Sequence, residues 1–179
     1  MIYFTSDTHF GHANIIKYLN RPFSNSHEMD KILIRNWNLK VSAKDTIYHL
    51  GDFGMGPPRY LLDIINRLNG HKFLISGSHD KRLVKELLRL EAFHLRQRHP
   101  GMTSMGPMYV LKGIKGVPDI TLCHYSMRVW PKAHYGTFHL FDHSHGHLEG
   151  VGKSFDVGVD ANNFKPVSLD EVVIRMEAK

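Results

Sequence analysis

Short apolar runs alternate with longer amphipathic stretches through the first half of the chain, and this alternation predicts strands and helices in turn. The runs are rich in β-branched and aromatic residues, which is typical of buried strands. The predicted strands are 2–6 (IYFTS), 46–50 (TIYHL) and 72–76 (KFLIS). A β-α-β-α-β-α order of this kind indicates a partly parallel sheet covered by helices.

Three helices are predicted in this half. The helix at 26–39 has a capping residue in Asn25 and apolar residues on one face. The next helix opens at the Pro-Pro pair 57–58 and ends before Gly70. The third, at about 82–90, is basic and amphipathic.

The second half is richer in predicted strands and closes with one helix. That helix begins at a capping box that starts with Ser168. The stretch 94–107 is neither periodic nor apolar and is predicted to be a mobile loop. The predicted strands are 108–114, 119–125, 137–141 and 154–159.

The composition is that of an ordinary globular protein, with 42% hydrophobic and 22% charged residues. A length of 179 residues predicts a single domain, 1–179. No apolar run approaches the roughly 18 residues of a membrane span, and Asp7 lies too early for a secretory signal. The single cysteine, Cys123, excludes an intrachain disulfide, so we expect a cytoplasmic protein without a membrane partner. A net charge of +6 favours anionic partners.

Histidine is unusually frequent, at 14 of 179 residues, and the histidines are dispersed rather than gathered in a terminal tag. Many of them, with aspartates, follow predicted strands. Because ligands of open α/β sheets bind at the carboxyl ends of the strands, we expect these side chains to converge. The strand ends carry Asp7 and His9, then Asp52, then Ser78, His79 and Asp80, then His124, and last Asp142, His143 and His145.

Two carboxylates with several imidazoles and no thiolate suit Mn, Fe, Zn, Ni or Co better than Ca. These donors are too many for one tetrahedral ion. Two ions that share one carboxylate, roughly 3.5–4 Å apart, form the geometry of metal-assisted phosphoryl transfer.

The order DTH, GD, GSHD, H and HSH resembles the pattern D-x-H, G-D, G-N-H-[DE], H, G-H-x-H of the calcineurin-like metallophosphoesterases, across essentially the whole chain. DTHFGH and SFDVGVDA are most similar to small bacterial and phage-type members. The resemblance implies an αββα fold of the α+β or α/β class, in which two mixed sheets are flanked by helices in four layers. It also implies hydrolysis of phosphomonoesters or phosphodiesters by a hydroxide that bridges two divalent transition-metal ions, with Mn preferred. The implied substrate is a phosphorylated small molecule or a nucleotide, with a nucleic acid as an alternative.

The resemblance further implies a role for each matching residue. His79 would face the substrate, stabilise the phosphoryl oxygens and protonate the leaving oxygen. His12 would either approach the substrate phosphate or cap its own loop. The implied metal ligands are Asp7, His9 and His145 for the first ion, Asp52 for both ions, and His124, His143 and position 78 for the second.

Two positions depart from the family pattern. Ser78 stands where the family has Asn, and a hydroxyl is a shorter and poorer metal donor than an amide oxygen. Asp142 stands where the family has Gly, and is either an extra metal ligand or a strand-end residue that points into solvent. Either change is expected to lower activity, unless the carboxylate at one position compensates for the amide missing at the other.

Two other functions share some of these sequence features. His143, His145 and His147 suggest a metallo-β-lactamase-type hydrolase, but the Asp-His that should follow is missing and the run lies late in the chain. A phosphoesterase scaffold weakened in catalysis, which mainly binds metal or a partner, is kept open by Ser78 and Asp142.

Polar residues outside the motifs are predicted to have structural roles. Asp80 would bind backbone N–H groups of its own loop. The stretch Lys81–Arg98 would be a solvated basic face or a contact for a polyanion. Core positions are predicted for His49 and Cys123, and surface or packing positions for His134 and His139. His147 is predicted to support the site or lie at the surface, and Asp156 and Asp160 to support the site or form a turn.

Overall fold

The structure, a computed structural model, describes residues 1–93 and 101–179. It contains five α-helices and nine strands within these residues. The helices are α1 (Ala13–Tyr18), α2 (Ser26–Lys40), α3 (Pro58–Arg67), α4 (Lys81–Phe93) and α5 (Leu169–Glu177). The strands are β1 (Ile2–Thr5), β2 (Thr46–His49), β3 (His71–Leu74), β4 (Met102–Ser104), β5 (Met108–Leu111), β6 (Ile120–Cys123), β7 (Phe138–Phe141), β8 (Ser154–Asp156) and β9 (Val167–Ser168).

The strands form two mixed sheets. The first has the order β4-β3-β2-β1-β9, and every neighbour is parallel except β9, which runs antiparallel to β1. The second has the order β5-β6-β7-β8, in which only β5 and β6 are antiparallel. The chain is therefore an α/β protein with a partly parallel sheet, as the alternating pattern of its first half predicted.

Alternation along the strands divides the core into two layers. Tyr3 and Ile47 face the helices α1–α4, whereas their neighbours Phe4 and Tyr48 face the second sheet. The layer between the sheets also contains apolar residues of β6, β7 and α5, among them Leu122, Leu140 and Met176. Stacking of the two sheets in this way brings the ends of their parallel strands close to one another.

The outer face of the second sheet is covered by the chain between β6 and β7, which contains a 3-10 turn at Ala133–Tyr135. His139 is buried on this face, where its ring lies 5.4 Å from the ring of Trp130. His139 Nε2 accepts a hydrogen bond from the backbone N–H of Met127 at 3.0 Å. His139 thus has the packing role predicted for it, whereas His134 is exposed.

Two helix starts agree with the sequence in atomic detail. The side chain of Asn25 accepts a hydrogen bond from the backbone N–H of Glu28, at 3.0 Å, and so caps α2. Ser168 and Glu171 form the predicted capping box at the start of α5. None of the helices in 1–93 and 101–179 is long and apolar enough to cross a membrane.

The loop predicted at 94–107 is wrong for three of its residues. Residues 94–100 lie outside the described residues, but 102–104 form β4 rather than a loop. Met102 is fully buried and its strand pairs with β3. This pairing joins segments about 30 residues apart, so the local sequence pattern does not predict it. The short helix α1 and the two-residue strand β9 also escaped prediction, since both are too short to establish a periodicity.

Candidate metal centre

Loops that follow strands of both sheets meet at one place. β1 and β2 lead into Asp7, His9 and Asp52, while β6 and β7 of the second sheet lead into histidines. The ligand atoms form two groups, and within each group all of them lie within 4.8 Å of one another. The groups are Asp7, His9 and His145, and Asp52, His124 and His143. The structure thus brings together the residues that the motifs singled out as ligands, and the Ser78 hydroxyl lies beside them, 2.9 Å from Asp52 Oδ2.

The backbone at these residues is strained. Non-glycine residues rarely adopt a positive φ, which costs about 1–3 kcal/mol each and persists mainly at functional sites. The loops are nevertheless held, because Asp7 N–H donates to Gly51 O at 3.0 Å and His9 N–H donates to Asp52 O at 3.1 Å. Five of the six grouped residues have a φ between 51° and 69°: Asp7, His9, Asp52, His143 and His145.

In the first group, His145 is oriented by a half-buried ion pair with Asp160. Its Nδ1–H donates to Asp160 Oδ2 at 2.8 Å, so that Nε2 points to Asp7 Oδ1, 3.5 Å away. Arg21, itself buried, donates to both oxygens of Asp160 at 2.8 and 2.6 Å. Burial opposes ionisation of Asp160, but the hydrogen bonds from His145 and Arg21 keep its pKa below the usual value. A carboxylate on the far nitrogen fixes the tautomer of a histidine that ligates a metal.

Asp160 therefore has the supporting role predicted for it, whereas Arg21 was missed by sequence reasoning. Replacing Asp160 with Asn is expected to weaken metal binding at the first group by about 10- to 100-fold, because the ligand histidine loses its orienting charge. Metal titration against a competing chelator measures this. The matched control is Asp63→Asn, at an exposed position on α3. Equal affinity in both variants would contradict the role of Asp160.

The second group is oriented in a similar way. His124 Nδ1–H donates to Leu50 O at 2.9 Å, which leaves Nε2 free to face His143 Nδ1 at 3.0 Å and Asp52 Oδ2 at 3.6 Å. Gly51, with φ of +106°, allows this approach, since an added Cβ would lie 2.7 Å from His124 Nδ1. Burial and the charge of His124 lower the pKa of His143, which favours its neutral, ligating form.

Asp52 lies between the two groups. Its Oδ2 is 3.6 Å from His124 Nε2 in its own group and 3.9 Å from His9 Nε2 in the other. The hydroxyl of Ser78 donates to Asp52 Oδ2 at 2.9 Å, and the backbone N–H of His79 donates to Oδ1 at 2.8 Å. Both oxygens of this carboxylate are therefore held in place by the loop that follows β3.

Asp7 is the buried carboxylate of the first group. Burial alone would raise its pKa, but a hydrogen bond from His9 and the charges of His124 and His9 lower the pKa below its usual value. An ionised carboxylate in this environment is what a cation site requires.

Asp80 has the structural role that the sequence predicted. Its carboxylate accepts hydrogen bonds from the backbone N–H groups of Asp52, Phe53 and Gly77, at 2.8, 2.9 and 2.8 Å. It thereby ties the loop after β2 to the loop after β3, and aligns Asp52 with Ser78 and His79.

Asp142 does not point into solvent, and that alternative is wrong. The residue is 1% exposed, and its Oδ1 accepts a hydrogen bond from the backbone N–H of His145 at 3.1 Å. A Cβ at Gly158 would lie 1.6 Å from Asp142 Oδ2, so the carboxyl fills space that only glycine leaves open. Burial and the nearby charges of Asp7 and Asp156 raise the pKa of Asp142 well above its usual value. Asp142 lies outside both ligand groups, and its role as an extra ligand stays a prediction.

His79 and His12 lie beside the ligand groups. The His79 side chain is 47% exposed, and its Nε2 is 3.8 Å from Asp52 Oδ2. His12 Nδ1 is 3.3 Å from His9 Nδ1. His12 occupies the N-cap position of α1 but makes no side-chain capping bond, and its ring instead lies against those of His9 and Tyr18 at the edge of the centre. Burial and the charges of His9 and His79 lower the pKa of His12.

Other polar residues have the positions that sequence reasoning expected. His49 is fully buried, which lowers its pKa to about 3, and its Nε2 is 2.9 Å from Thr8 Oγ1. Cys123 is buried and His147 is exposed. Asp156 accepts hydrogen bonds from the N–H groups of Gly146 and Gly158.

The donor set fits metal ions. Each group combines an aspartate with two histidines, and in each group a histidine has one nitrogen occupied by a protein acceptor and the other directed at a carboxylate. Imidazole with carboxylate is the combination that divalent transition metals prefer.

No protein-family model matches the chain. Among solved structures, the protein of unknown function AQ665 from Aquifex aeolicus superposes with a TM-score of 0.72 and 25% identity, over 98% of both chains. Phosphopantetheinyl hydrolase from Mycobacterium tuberculosis overlaps with a TM-score of only 0.35 and 14% identity, over 75% of this chain and 48% of that one, and nothing is inferred from it.

A much stronger similarity is found in sequence. The chain is 37% identical over 179 residues to the uncharacterized protein MJ1445 of Methanocaldococcus jannaschii, an alignment that covers 98% of this chain and 91% of that protein. Identity at this level along nearly the full length of both proteins means common descent. The chain belongs to the family of the Methanocaldococcus jannaschii protein MJ1445.

Proposed function

We propose that this protein is a metal-dependent phosphoesterase of the calcineurin-like type, which hydrolyses phosphomonoesters or phosphodiesters of small molecules or nucleotides. The observation that carries the proposal is that two Asp/His groups lie side by side. Asp52 of one group approaches His9 of the other, and the half-exposed His79 lies next to both. Enzymes that catalyse phosphoryl transfer often use two adjacent metal ions together with a side chain, such as this imidazole, that can donate or accept a proton.

The residues of the two groups would hold two divalent cations, with Mn preferred and Fe, Zn, Ni or Co as alternatives. Asp52 is the ligand proposed to be shared, because a single one of its oxygens, Oδ2, approaches histidines of both groups. Such ions, when bound, acidify water and neutralise the charge of a phosphoryl group.

The remaining residues act on the substrate directly. His79 is proposed to stabilise the phosphoryl oxygens and to protonate the leaving oxygen, since its ring is exposed beside Asp52 while its backbone N–H is fixed to that carboxylate. His12 is also proposed to contact the phosphate, because its ring, like that of His79, lies against His9. The ring centroids of His12 and His79 are 5.3 and 5.9 Å from that of His9.

The proposal is tested by metal removal. Exhaustively chelated protein is assayed on para-nitrophenyl phosphate and bis-para-nitrophenyl phosphate, then reloaded with Mn or Mg, with metal analysis on the same samples. Chelation should abolish hydrolysis, and Mn should restore it more fully than Mg because imidazole ligands suit Mn better. Full activity in the chelated protein would overturn the proposal. Two bound ions without turnover would favour the weakened scaffold instead.

Ser78 provides a further prediction about the second ion. Its hydroxyl donates to Asp52, and its oxygen is a poorer ligand than an amide oxygen, so the second ion should bind more weakly than the first. Ser78→Asn is expected to tighten that ion by at least about tenfold and to raise activity at limiting metal. Ser78→Ala is the matched control, which removes the hydroxyl without adding an amide. Titration of Mn into the parent and both variants decides this, and two equally tight ions in all three would contradict it.

A further inference from the structure

A cleft of about 790 Å³ adjoins the candidate metal centre. Ser78 and His79 line one end of it, and the cleft continues between the loop 54–58 and the start of α4. His79 therefore belongs both to the edge of the metal centre and to the wall of the cleft. A volume of this size is within the roughly 300–1,000 Å³ typical of small-molecule sites.

The cleft is positively charged. Lys81 and Arg82 line it, both are exposed, and no aspartate or glutamate is among the described residues that line it. Within 1–93 and 101–179, neither side chain has a hydrogen bond or an ion pair. The nearest acid in sequence, Asp80, is buried and already bound to three backbone N–H groups. The positively charged side chains of Lys81 and Arg82 are thus available to a ligand in the cleft.

The opposite wall is apolar and firmly held. It contains Met55, the prolines 57–58 and Leu61. The backbone N–H of Met55 donates to Phe10 O at 2.8 Å, next to a parallel bridge between Phe10 and Gly54. A Cβ at Gly54 would lie 2.6 Å from Leu61 Cδ2, so this wall packs without spare space. Since the bridge joins the wall to the loop of Asp7 and His9, the cleft keeps a constant position beside the centre.

We propose that this cleft receives the leaving group of the substrate, and that it selects phosphoric esters whose leaving group combines an apolar body with a negative charge of its own. The inference rests on the proposed function, in which His79 protonates the leaving oxygen. A group that departs past His79 enters the cleft, where its apolar part contacts Met55 and Leu61 and its anionic part pairs with Lys81 and Arg82. Carboxylate and phosphate are the two anionic groups that this chemistry serves.

The test compares benzyl phosphate with para-carboxybenzyl phosphate and para-phosphonobenzyl phosphate, assayed by phosphate release with Mn-loaded protein. The leaving alcohols differ little in acidity, so a difference in kcat/KM reports on the remote anion. We expect the anionic esters to have a kcat/KM at least about tenfold higher, as charge-assisted hydrogen bonds are individually strong. The larger of the two gains identifies carboxylate or phosphate as the preferred group.

Variants of α4 assign the effect to the cleft. Arg82→Gln and Lys81→Gln should reduce the preference for the anionic esters several-fold, while Lys85→Gln, the same change on the same helix but outside the cleft, should retain it. Binding of para-hydroxymethylbenzoate and benzyl alcohol to metal-free protein, measured by calorimetry, gives a readout independent of turnover. Only the benzoate should bind measurably, and Arg82→Gln should weaken it.

The outcomes are distinguishable. Hydrolysis of all three esters with equal kcat/KM, or a preference that Lys81→Gln and Arg82→Gln leave unchanged, would overturn the leaving-group site while the phosphoesterase proposal stands. Absence of hydrolysis of these three esters and of both nitrophenyl esters in Mn-loaded protein would overturn the proposed function, and the leaving-group role with it. If the diester alone is hydrolysed, failure of para-hydroxymethylbenzoate to bind in the calorimeter would overturn the leaving-group site.

Discussion

Replacing Asp52 with Asn is expected to lower phosphoesterase activity by at least about a thousandfold, because metal-ion stabilisation of phosphoryl transfer is worth several kcal/mol and each 1.36 kcal/mol is a factor of ten. A single oxygen of Asp52, Oδ2, approaches both ligand groups, at 3.6 Å from His124 Nε2 and 3.9 Å from His9 Nε2. An amide has no negative charge and only one oxygen to offer. Both cations should therefore bind more weakly in the variant.

The measurements are kcat at saturating Mn and the Mn stoichiometry after gel filtration. Asp63→Asn, an exposed aspartate on α3, controls for the loss of one negative charge. Circular dichroism should show the same fold in both variants, since one amide oxygen at the place of Oδ1 can accept from the His79 N–H, at 2.8 Å, and from the Ser78 hydroxyl, at 3.3 Å. An Asp52→Asn protein with two tightly bound ions and near-parental turnover would exclude Asp52 as the shared ligand.

Replacing His79 with Ala is expected to reduce kcat by roughly 10²- to 10⁴-fold, the usual contribution of a general acid. Metal content should be unchanged, because His79 lies outside both ligand groups and its side chain is 47% exposed. The loss should be larger for an alkyl phosphate than for para-nitrophenyl phosphate, since a good leaving group departs without a proton. This dependence separates acid catalysis from a general defect.

The matched control is His147→Ala, which removes an exposed histidine close in sequence to two candidate ligands. It should retain both metal and activity. If His79→Ala loses an ion, His79 is a ligand and the acid role is wrong. If it loses activity equally on alkyl and aryl esters, its contribution is to phosphate binding alone.

Local sequence patterns predicted most of the helices and strands and the chemistry of the residues that follow the strands. Apolar runs predicted β1, β2, β3, β6 and β7, and local capping signals at Asn25 and Ser168 placed two helix starts correctly. These signals are local, because strand alternation and capping bonds depend on residues only a few positions apart. The residues that follow the strands could be recognised as ligands for the same reason, since each motif lies within a few residues of its strand.

The grouping of those residues into two ligand sets, and the contacts that orient them, depend on the tertiary structure. His145 joins Asp7 and His9, and Asp160 is held by Arg21 across 139 positions of sequence. The residues around Arg21 do not predict its contact with Asp160, and the residues around Met102 do not predict the pairing of β4 with β3. These contacts depend on which strands are neighbours and on how the two sheets stack, and both are properties of the whole chain.

Asp142 illustrates the same limit. Its position after β7 was readable in the sequence, but its burial against Gly158 was not. The cleft beside His79 also arises from distant segments, because the loop 54–58 and the start of α4 are brought together by pairing of Phe10 with Gly54 and by the hydrogen bonds of Asp80. The local sequence determines which ligands the residues after each strand can bind. The register of the strands and the stacking of the two sheets determine which of these residues lie together, because only long-range contacts fix the distances between the strand ends.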